Sequence, residues 1–134
     1  MYEHHVYFAV FGFSEPPQAI SLLAGISPDD SWCAGDPYGG LTPPARRLDS
    51  RWILSSNLDR DASHRDHFER LCLKLERLGE RLPQLRQRYR CGIGVSQYFF
   101  MDDPVFYLPA DLLARFERLG LPLSFDQLGL DAPA

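Results

Sequence analysis

Lysine is nearly absent from this sequence. Lys74 is the single lysine, against thirteen arginines. The formal net charge is -4, and the pI is near 5.5. A surface for nucleic acid needs an excess of basic residues on one face, so this balance disfavours nucleic acid as the main partner. The arginines do supply planar donors that suit bidentate contacts with carboxylates.

Cysteine and long apolar runs are also scarce. Cys33, Cys72 and Cys91 cannot all pair within one chain, and Cys72 falls on the apolar face of a predicted helix, so we expect reduced thiols. No basic segment after Met1 leads into a long apolar stretch, which predicts neither a signal peptide nor a membrane span. We therefore expect a cytoplasmic protein without membrane contact.

The composition that is present belongs to an ordinary globular domain. Hydrophobic residues make up 45% of the 134 positions and charged residues 24%, enough for one core without help from a metal or a disulfide. We predict a single domain over residues 1–134, in which the tail after about Gln127 frays. We expect no cofactor.

Apolar and aromatic alternation predicts the strands. The segment His5–Phe13 is apolar on both alternating faces, which is typical of a central strand covered on two sides. Further strands are predicted at residues 31–33, 51–55, 91–100, 105–108 and 121–125. We expect Trp32 and Trp52 both to point toward the core.

Capping residues and a period of 3.6 predict the helices. The clearest helix begins near Ser63, and its apolar residues recur at three- and four-residue spacing from Phe68 to Leu78. Prolines and glycines set the bounds of three shorter helices, at residues 16–25, 83–89 and 109–120. The order of elements predicts an α+β fold in which helices pack on one face of a mainly antiparallel sheet, a ferredoxin-like variant.

Short motifs connect the chain to a known family. After an aromatic-rich first strand come Leu-Leu-Ala-Gly-Ile-Ser-Pro, Ser31-Trp32, Gly35-Asp36-Pro37, Trp52 before Ser55-Ser56, Leu112-Leu113 and Leu119-Gly120. With these motifs the chain resembles the family known as domain of unknown function 4279, over roughly residues 7–126. The resemblance implies a small bacterial α/β protein with no assigned activity, cofactor or catalytic set. By analogy with other orphan bacterial domains, it implies an immunity protein that blocks a toxin.

Acidic and aromatic loop residues are the candidate partner-binding residues. Loops such as 31–40 carry turns and aromatic side chains that contribute little to packing. The candidates are Asp29, Asp30, Asp36, Tyr38, Asp102 and Asp103. The acids would steer the encounter with a basic toxin, and a few buried aromatic residues would hold the complex. We thus predict a non-catalytic protein-binding domain, an immunity protein that occludes its toxin, with no catalytic residues.

Histidines offer two possible metal sites. His64 and His67 are three residues apart and could share a helix face, but no close cysteine pair accompanies them, which favours a solvated helix terminus. His4 and His5 could join Cys33 and Cys91 in a zinc site, but their spacing favours a polar strand entry. We assign no metal site.

Two other functions remain open. The first is a small enzyme or ligand-binding domain with a pocket on the sheet face near Gly94, Ser96 and Tyr98, using Asp103 or His67. The second is a weak RNA binder, for which the sequence offers a basic stretch made of Arg77, Arg81, Arg86, Arg88 and Arg90, with Tyr89 for stacking. A solvated helix face is the simpler interpretation of that stretch.

Overall fold

The structure is a computed structural model that describes residues 2–100 and 106–130. This part of the chain forms seven strands and four helices. The strands are β1 (Tyr2–Phe11), β2 (Asp30–Trp32), β3 (Pro37–Tyr38), β4 (Ala45–Arg46), β5 (Arg51–Ser55), β6 (Arg90–Phe100) and β7 (Leu123–Leu130). The helices are α1 (Pro17–Ala24), α2 (His64–Glu76), α3 (Arg81–Arg88) and α4 (Ala110–Leu119). Each helix is too short or too polar to cross a lipid bilayer.

Five of the strands form one twisted sheet in the order β2-β5-β1-β6-β7. The first strand lies at the centre and pairs antiparallel on both sides, with Phe8 opposite Leu54 of β5 and opposite Ile93 of β6. The short strands β3 and β4 make a separate ribbon inside the connection from β2 to β5. The predicted α+β class with a mainly antiparallel sheet is confirmed.

The last strand departs from the predicted topology. It pairs with β6 in parallel, with Ile93 beside Leu123, and α4 lies in the connection between them. A parallel neighbour needs a crossover, which α4 supplies. Residues 106–109 lead into this helix and form no strand, contrary to the strand predicted for 105–108, of which residue 105 lies outside the described residues. The ferredoxin-like detail is not confirmed. Residues 131–134, where part of the predicted frayed tail falls, lie outside the described residues.

The helices pack against one face of the sheet and enclose the core. Alternate residues of the three central strands point toward them, because successive side chains of a strand face opposite sides. The core residues from the strands are Val6, Phe8, Val10, Trp52, Leu54, Ile93 and Val95. Those from the helices include Ile20, Phe68, Leu71, Leu75, Leu85, Leu112 and Phe116. Burial of each large side chain contributes roughly 1.5–3 kcal/mol.

Helix ends follow the predicted caps. Ser63 precedes α2, and its hydroxyl accepts a hydrogen bond from the Asp66 backbone N–H. Gly25 and Gly120 end α1 and α4 in the left-handed conformation, which costs glycine least. These bounds agree with the prediction because caps depend on local sequence.

Two arginines of α3 pack over the glycines that end α1 and α4. Arg81 donates a hydrogen bond to the Ala24 carbonyl and lies against Gly25, while the Arg86 guanidinium lies against Gly120. The C-terminus of a helix carries partial negative charge, so a cation there is stabilising. These two side chains of the predicted basic stretch therefore cap helices.

The two tryptophans lie on opposite faces of the sheet. Ser31 stands beside Trp52, and Trp32 stands beside Arg51, so a one-residue offset sends the two indoles in opposite directions. Trp52 is fully buried, and its Nε1–H donates a 3.0 Å hydrogen bond to the Ser21 hydroxyl. The prediction that Trp32 points into the core is wrong.

Candidate functional site

The face of the sheet opposite to the helices is the candidate functional site, and we call it the open face. The side chains that the strand register places there include Asp30, Trp32, Arg51, Ile53, Ser55, His5, Tyr7, Ala9, Phe11, Arg90, Gly92, Gly94, Ser96, Ser124 and Asp126. The set mixes aromatic residues with glycine, alanine and serine. Small residues beside large ones leave depressions in a sheet surface.

A groove of about 250 Å³ runs across the middle of the open face. We call it the sheet groove, and its lining includes Tyr7, Ala9, Phe11, Arg51, Gly92, Gly94, Pro122 and Ser124. Ala9 and Gly92 are paired in the register and form a floor without bulky side chains. Tyr7 lies across its partner Gly94, in the space where a Cβ atom on that residue would be.

Two arginines flank the ring of Phe11. The guanidinium carbon of Arg90 is 4.7 Å from the ring centroid and that of Arg51 is 5.9 Å from it. Arg51 Nε donates to Asp49 Oδ1 at 3.2 Å, in an ion pair that is about 40% exposed on each side. Within residues 2–100 and 106–130, Arg90 has no carboxylate partner. Arg51 lines the sheet groove, and Arg90 adjoins it through Phe11, so the Phe11 end of the groove is locally basic in a protein of net negative charge.

A stack of three side chains joins the open face to the connection between β2 and β5. The Arg47 guanidinium carbon lies 3.8 Å from the Trp32 ring centroid and 4.3 Å from that of Tyr38. We call this arrangement the Arg47 stack. Its guanidinium is held between two aromatic faces, as cation–π attraction favours. In the same connection Leu41 and Leu48 are 71% and 97% exposed.

Three of the predicted acids shape the edge beside β2. Asp29 accepts hydrogen bonds from the Ser55 backbone N–H at 2.7 Å and from Asn57 Nδ2 at 2.8 Å. Asp30 accepts from the Ser31 backbone N–H, and Asp36 accepts from the Cys33 backbone N–H. These carboxylates hold turns and remain exposed. We call Asp29, Asp30 and Asp36 the acidic edge.

The remaining predicted site residues do not belong to the acidic edge. Tyr38 belongs to the Arg47 stack and is 43% exposed, so it stands close to the open face. Asp102 and Asp103 lie outside the described residues. Gly94 and Ser96 lie on the open face, as the alternative of a sheet-face pocket requires, whereas His67 lies on the opposite, helical side.

Of the two histidines of α2, His67 faces the interior and His64 is half-buried. His67 is 1% exposed, and its Nδ1 shares a 2.6 Å hydrogen bond with the Ser56 hydroxyl, which is 3% exposed. His64 Nε2 lies 3.3 Å from Gln97 Nε2. Burial lowers the pKa of both His64 and His67. The prediction of a solvated helix terminus is therefore wrong for His67, which follows the spacing of Phe68 and Leu71 on the inward face.

Burial shields the Ser56 hydroxyl and keeps the Cys91 thiol protonated. Ser56 and His67 meet like a serine and its base, but both are buried beneath the helices, away from the open face. Burial raises the pKa of the Cys91 thiol to about 11, so it is neutral near pH 7. In residues 2–100 and 106–130, no three metal-ligating side chains come together as a cluster. Cys33, Cys72 and Cys91 are all free thiols.

Nearly the whole chain matches one protein-family model. The model described as Domain of unknown function (DUF4279) matches residues 2–130. The chain belongs to this family. No curated protein and no solved structure matches it. Because the match runs from β1 to the end of β7, the open face, the sheet groove and the acidic edge all belong to the DUF4279 domain itself.

Sequence reasoning missed the main residues of the open face. Tyr7 and Phe11 were assigned to a strand covered on two sides, because an aromatic strand looks the same whether one face or both are buried. Arg47 lies in a turn-rich segment and meets Trp32 only through tertiary structure. A usable signal was present in Gly92 and Gly94, since alternating glycines in a strand mark a place of close approach.

Proposed function

We propose that this DUF4279 domain is a non-catalytic protein-binding domain that holds its partner on the open face, and that the partner is a toxin which the domain neutralises by occlusion. The observation that carries the proposal is the Arg47 stack, in a connection between strands that also exposes Leu41 and Leu48. None of these side chains belongs to the hydrophobic core, so the fold gains little from them in isolation.

The residue types on this side of the sheet are those that dominate protein interfaces. Tryptophan, tyrosine and arginine account for most strongly contributing interface positions, and they act best when surrounding contacts exclude water. Here Trp32, Tyr38 and Arg47 are already ordered against each other, which lowers the entropy lost on binding. The exposed Leu41 and Leu48 of the connection between β2 and β5 add apolar area for a partner.

The assignment of a toxin as the partner is supported by charge. The domain carries a net charge of -4, and the acidic edge lies beside the Arg47 stack in the chain. Acids in this position would accelerate the encounter with a basic protein such as a nuclease. Occlusion needs no catalytic group on the blocking protein, which agrees with the buried Ser56–His67 pair.

The test is an affinity pull-down of the tagged domain from its own host, followed by mass spectrometry of the bound proteins. We expect one stoichiometric protein that is toxic when expressed alone and harmless when co-expressed with this domain. Loss of its capture in an Arg47→Ala variant, with Arg70→Ala on the outside of α2 as the control, would place the contact on the open face. A captured protein that is harmless by itself would contradict the toxin assignment.

A small-ligand domain is the second candidate, and the sheet groove is the observation that favours it. Ligand pockets usually measure about 300–1,000 Å³, so a groove of about 250 Å³ suits only a small molecule. A pull-down eluate that contains a bound small molecule and no protein would favour this function. RNA binding has less support, because Arg81 and Arg86 cap helices on the other side of the sheet.

A further inference from the structure

We infer that the sheet groove receives an acidic side chain of the partner protein, held by Arg51 and Arg90 beside Phe11. The inference rests on the proposed function and names the chemistry of the contact. It differs from steering by the acidic edge, which acts at long range and before contact.

The charges of the groove point to a carboxylate. Arg90 has no acidic partner in the described residues, and its guanidinium is kept in place over the Phe11 ring. Arg51 is shared with Asp49, but this pair is exposed to water on both sides and such pairs stabilise a protein little. A partner's carboxylate can therefore bind beside Phe11, at the end of the groove where both arginines lie, without breaking a strong interaction. Arginine forms planar, bidentate contacts with carboxylates.

The dimensions of the groove favour a side chain over a larger ligand. Its volume of about 250 Å³ is below the usual range for metabolite pockets. Its floor is formed by Ala9 and Gly92, so a partner's backbone can come close to the sheet. Tyr7 and Ser124 add hydroxyl groups to the lining. A partner's acidic side chain can thus enter the sheet groove while the partner's main chain lies close to the floor of Ala9 and Gly92.

The positions of the charged residues also predict the distribution of charge on the partner's surface. The acidic edge lies in and next to the edge strand β2, whereas Arg51 and Arg90 lie on β5 and β6, on either side of the central strand β1. A complementary protein surface has basic residues at its margin and a carboxylate toward its middle. A basic enzyme with acidic side chains in its cleft would present this pattern, and binding there would block that cleft.

The experiment is a titration of the whole ¹⁵N-labelled domain followed by NMR, with two blocked tripeptides as probes. One is acetyl-Glu-Tyr-Glu-amide, and the other is its uncharged counterpart, acetyl-Gln-Tyr-Gln-amide. We expect the acidic probe to shift the backbone signals of Gly92 and Gly94 and the Nε signals of Arg51 and Arg90. We expect its affinity to exceed that of the uncharged probe by about tenfold or more.

Variants and a nucleic acid probe decide the assignment. Arg51→Gln and Arg90→Gln should each weaken the acidic probe several-fold, while Arg118→Gln on α4 makes the same change of charge and should leave it unaffected. The inference is overturned if both tripeptides bind equally, if the shifts lie away from the sheet groove, or if a uridine hexanucleotide produces the same shifts more strongly than the acidic tripeptide.

The pull-down separates this inference from the proposed function. If the host partner is captured equally by the wild type and by the Arg51→Gln, Arg90→Gln double variant, the protein-binding function stands and the groove contact is wrong. If no protein is captured while the acidic tripeptide still binds in the groove, the carboxylate site stands and the proposed function is wrong.

Discussion

The ring of Tyr7 lies across Gly94 of the neighbouring strand, in the space that a Cβ atom on Gly94 would occupy. The tip of the tyrosine, and not the backbone of another strand, would meet that atom. A side chain at position 94 would therefore push the ring aside and leave the sheet pairing in place. The width of the sheet groove thus depends on the absence of a side chain on β6.

Gly94→Ala tests this relationship. We expect the Tyr7 ring to leave its position, the acidic tripeptide to bind more weakly, and the free energy of unfolding to change by less than about 1 kcal/mol, because alanine suits a strand better than glycine. NMR contacts of the ring and urea unfolding measure the two effects. Gly92→Ala is the control for the ring position, since its Cβ atom would meet Pro122 at an ordinary 3.5 Å and would not touch Tyr7. An unmoved ring in Gly94→Ala contradicts the prediction.

The two tryptophans should differ sharply in their effect on stability. Trp52→Ala removes a fully buried indole and its hydrogen bond to Ser21, so we expect a loss of about 3–5 kcal/mol in the free energy of unfolding. Trp32→Ala removes a half-buried ring from the open face and should cost about 1 kcal/mol or less. Urea unfolding monitored by circular dichroism compares them. Equal losses would show that the register of β2 is wrong.

The Arg47 stack should matter more for binding than for folding. Arg47→Ala removes two partly exposed cation–π contacts, each of about 0.5 kcal/mol, so we expect the free energy of unfolding to fall by about 1 kcal/mol. Affinity for the captured partner should fall by about tenfold or more, as at other arginine positions at the centre of interfaces. Calorimetric titration measures the affinity. An unchanged affinity would remove the Arg47 stack from the interface.

The buried histidines predict a loss of stability in mild acid. Burial lowers the pKa of His64 and His67 in the folded state, so the unfolded chain binds protons more readily. The free energy of unfolding should therefore fall as the pH drops below about 6.5 and level off once the pH is below the lowered values. Urea unfolding between pH 7.5 and 5.5 measures this slope.

A histidine variant and the carboxylates provide the comparison for that slope. His67→Gln keeps a polar side chain near Ser56 and should flatten the dependence between pH 7.5 and 5.5. The pKa values of Glu76 and Asp111 are lowered by Arg115 and Arg65, so their contributions are lost only in stronger acid. A slope that is identical in His67→Gln would assign the acid sensitivity to other groups.

Local signals in the sequence predicted the local structure well. Ser63, Gly25 and Gly120 set helix ends at the expected places, because a cap needs only a few neighbouring residues. The inward position of Phe68 and Leu71 followed from helical spacing. The same spacing places His67 on the inward face. Its burial was not predicted, because histidines at helix ends are usually exposed.

Features that depend on distant contacts were not predictable in the same way. The direction of Trp32 depends on the register between β2 and β5, and one residue of offset reverses it. The parallel position of β7 depends on where α4 crosses the sheet. Tyr7, Phe11 and Arg90 become neighbours only when β1 and β6 pair, so the candidate site was visible in the sequence mainly as two glycines.

The central position of β1 has a consequence for synthesis of the protein. Its partner β6 is translated about 80 residues later, which corresponds to roughly 4–16 s at ordinary elongation rates. During this interval Val6, Phe8 and Val10 have left the ribosome without the strand that will cover one of their edges. The nascent chain therefore passes through a stage that favours chaperone binding and aggregation, and slower translation before residue 90 would lengthen it.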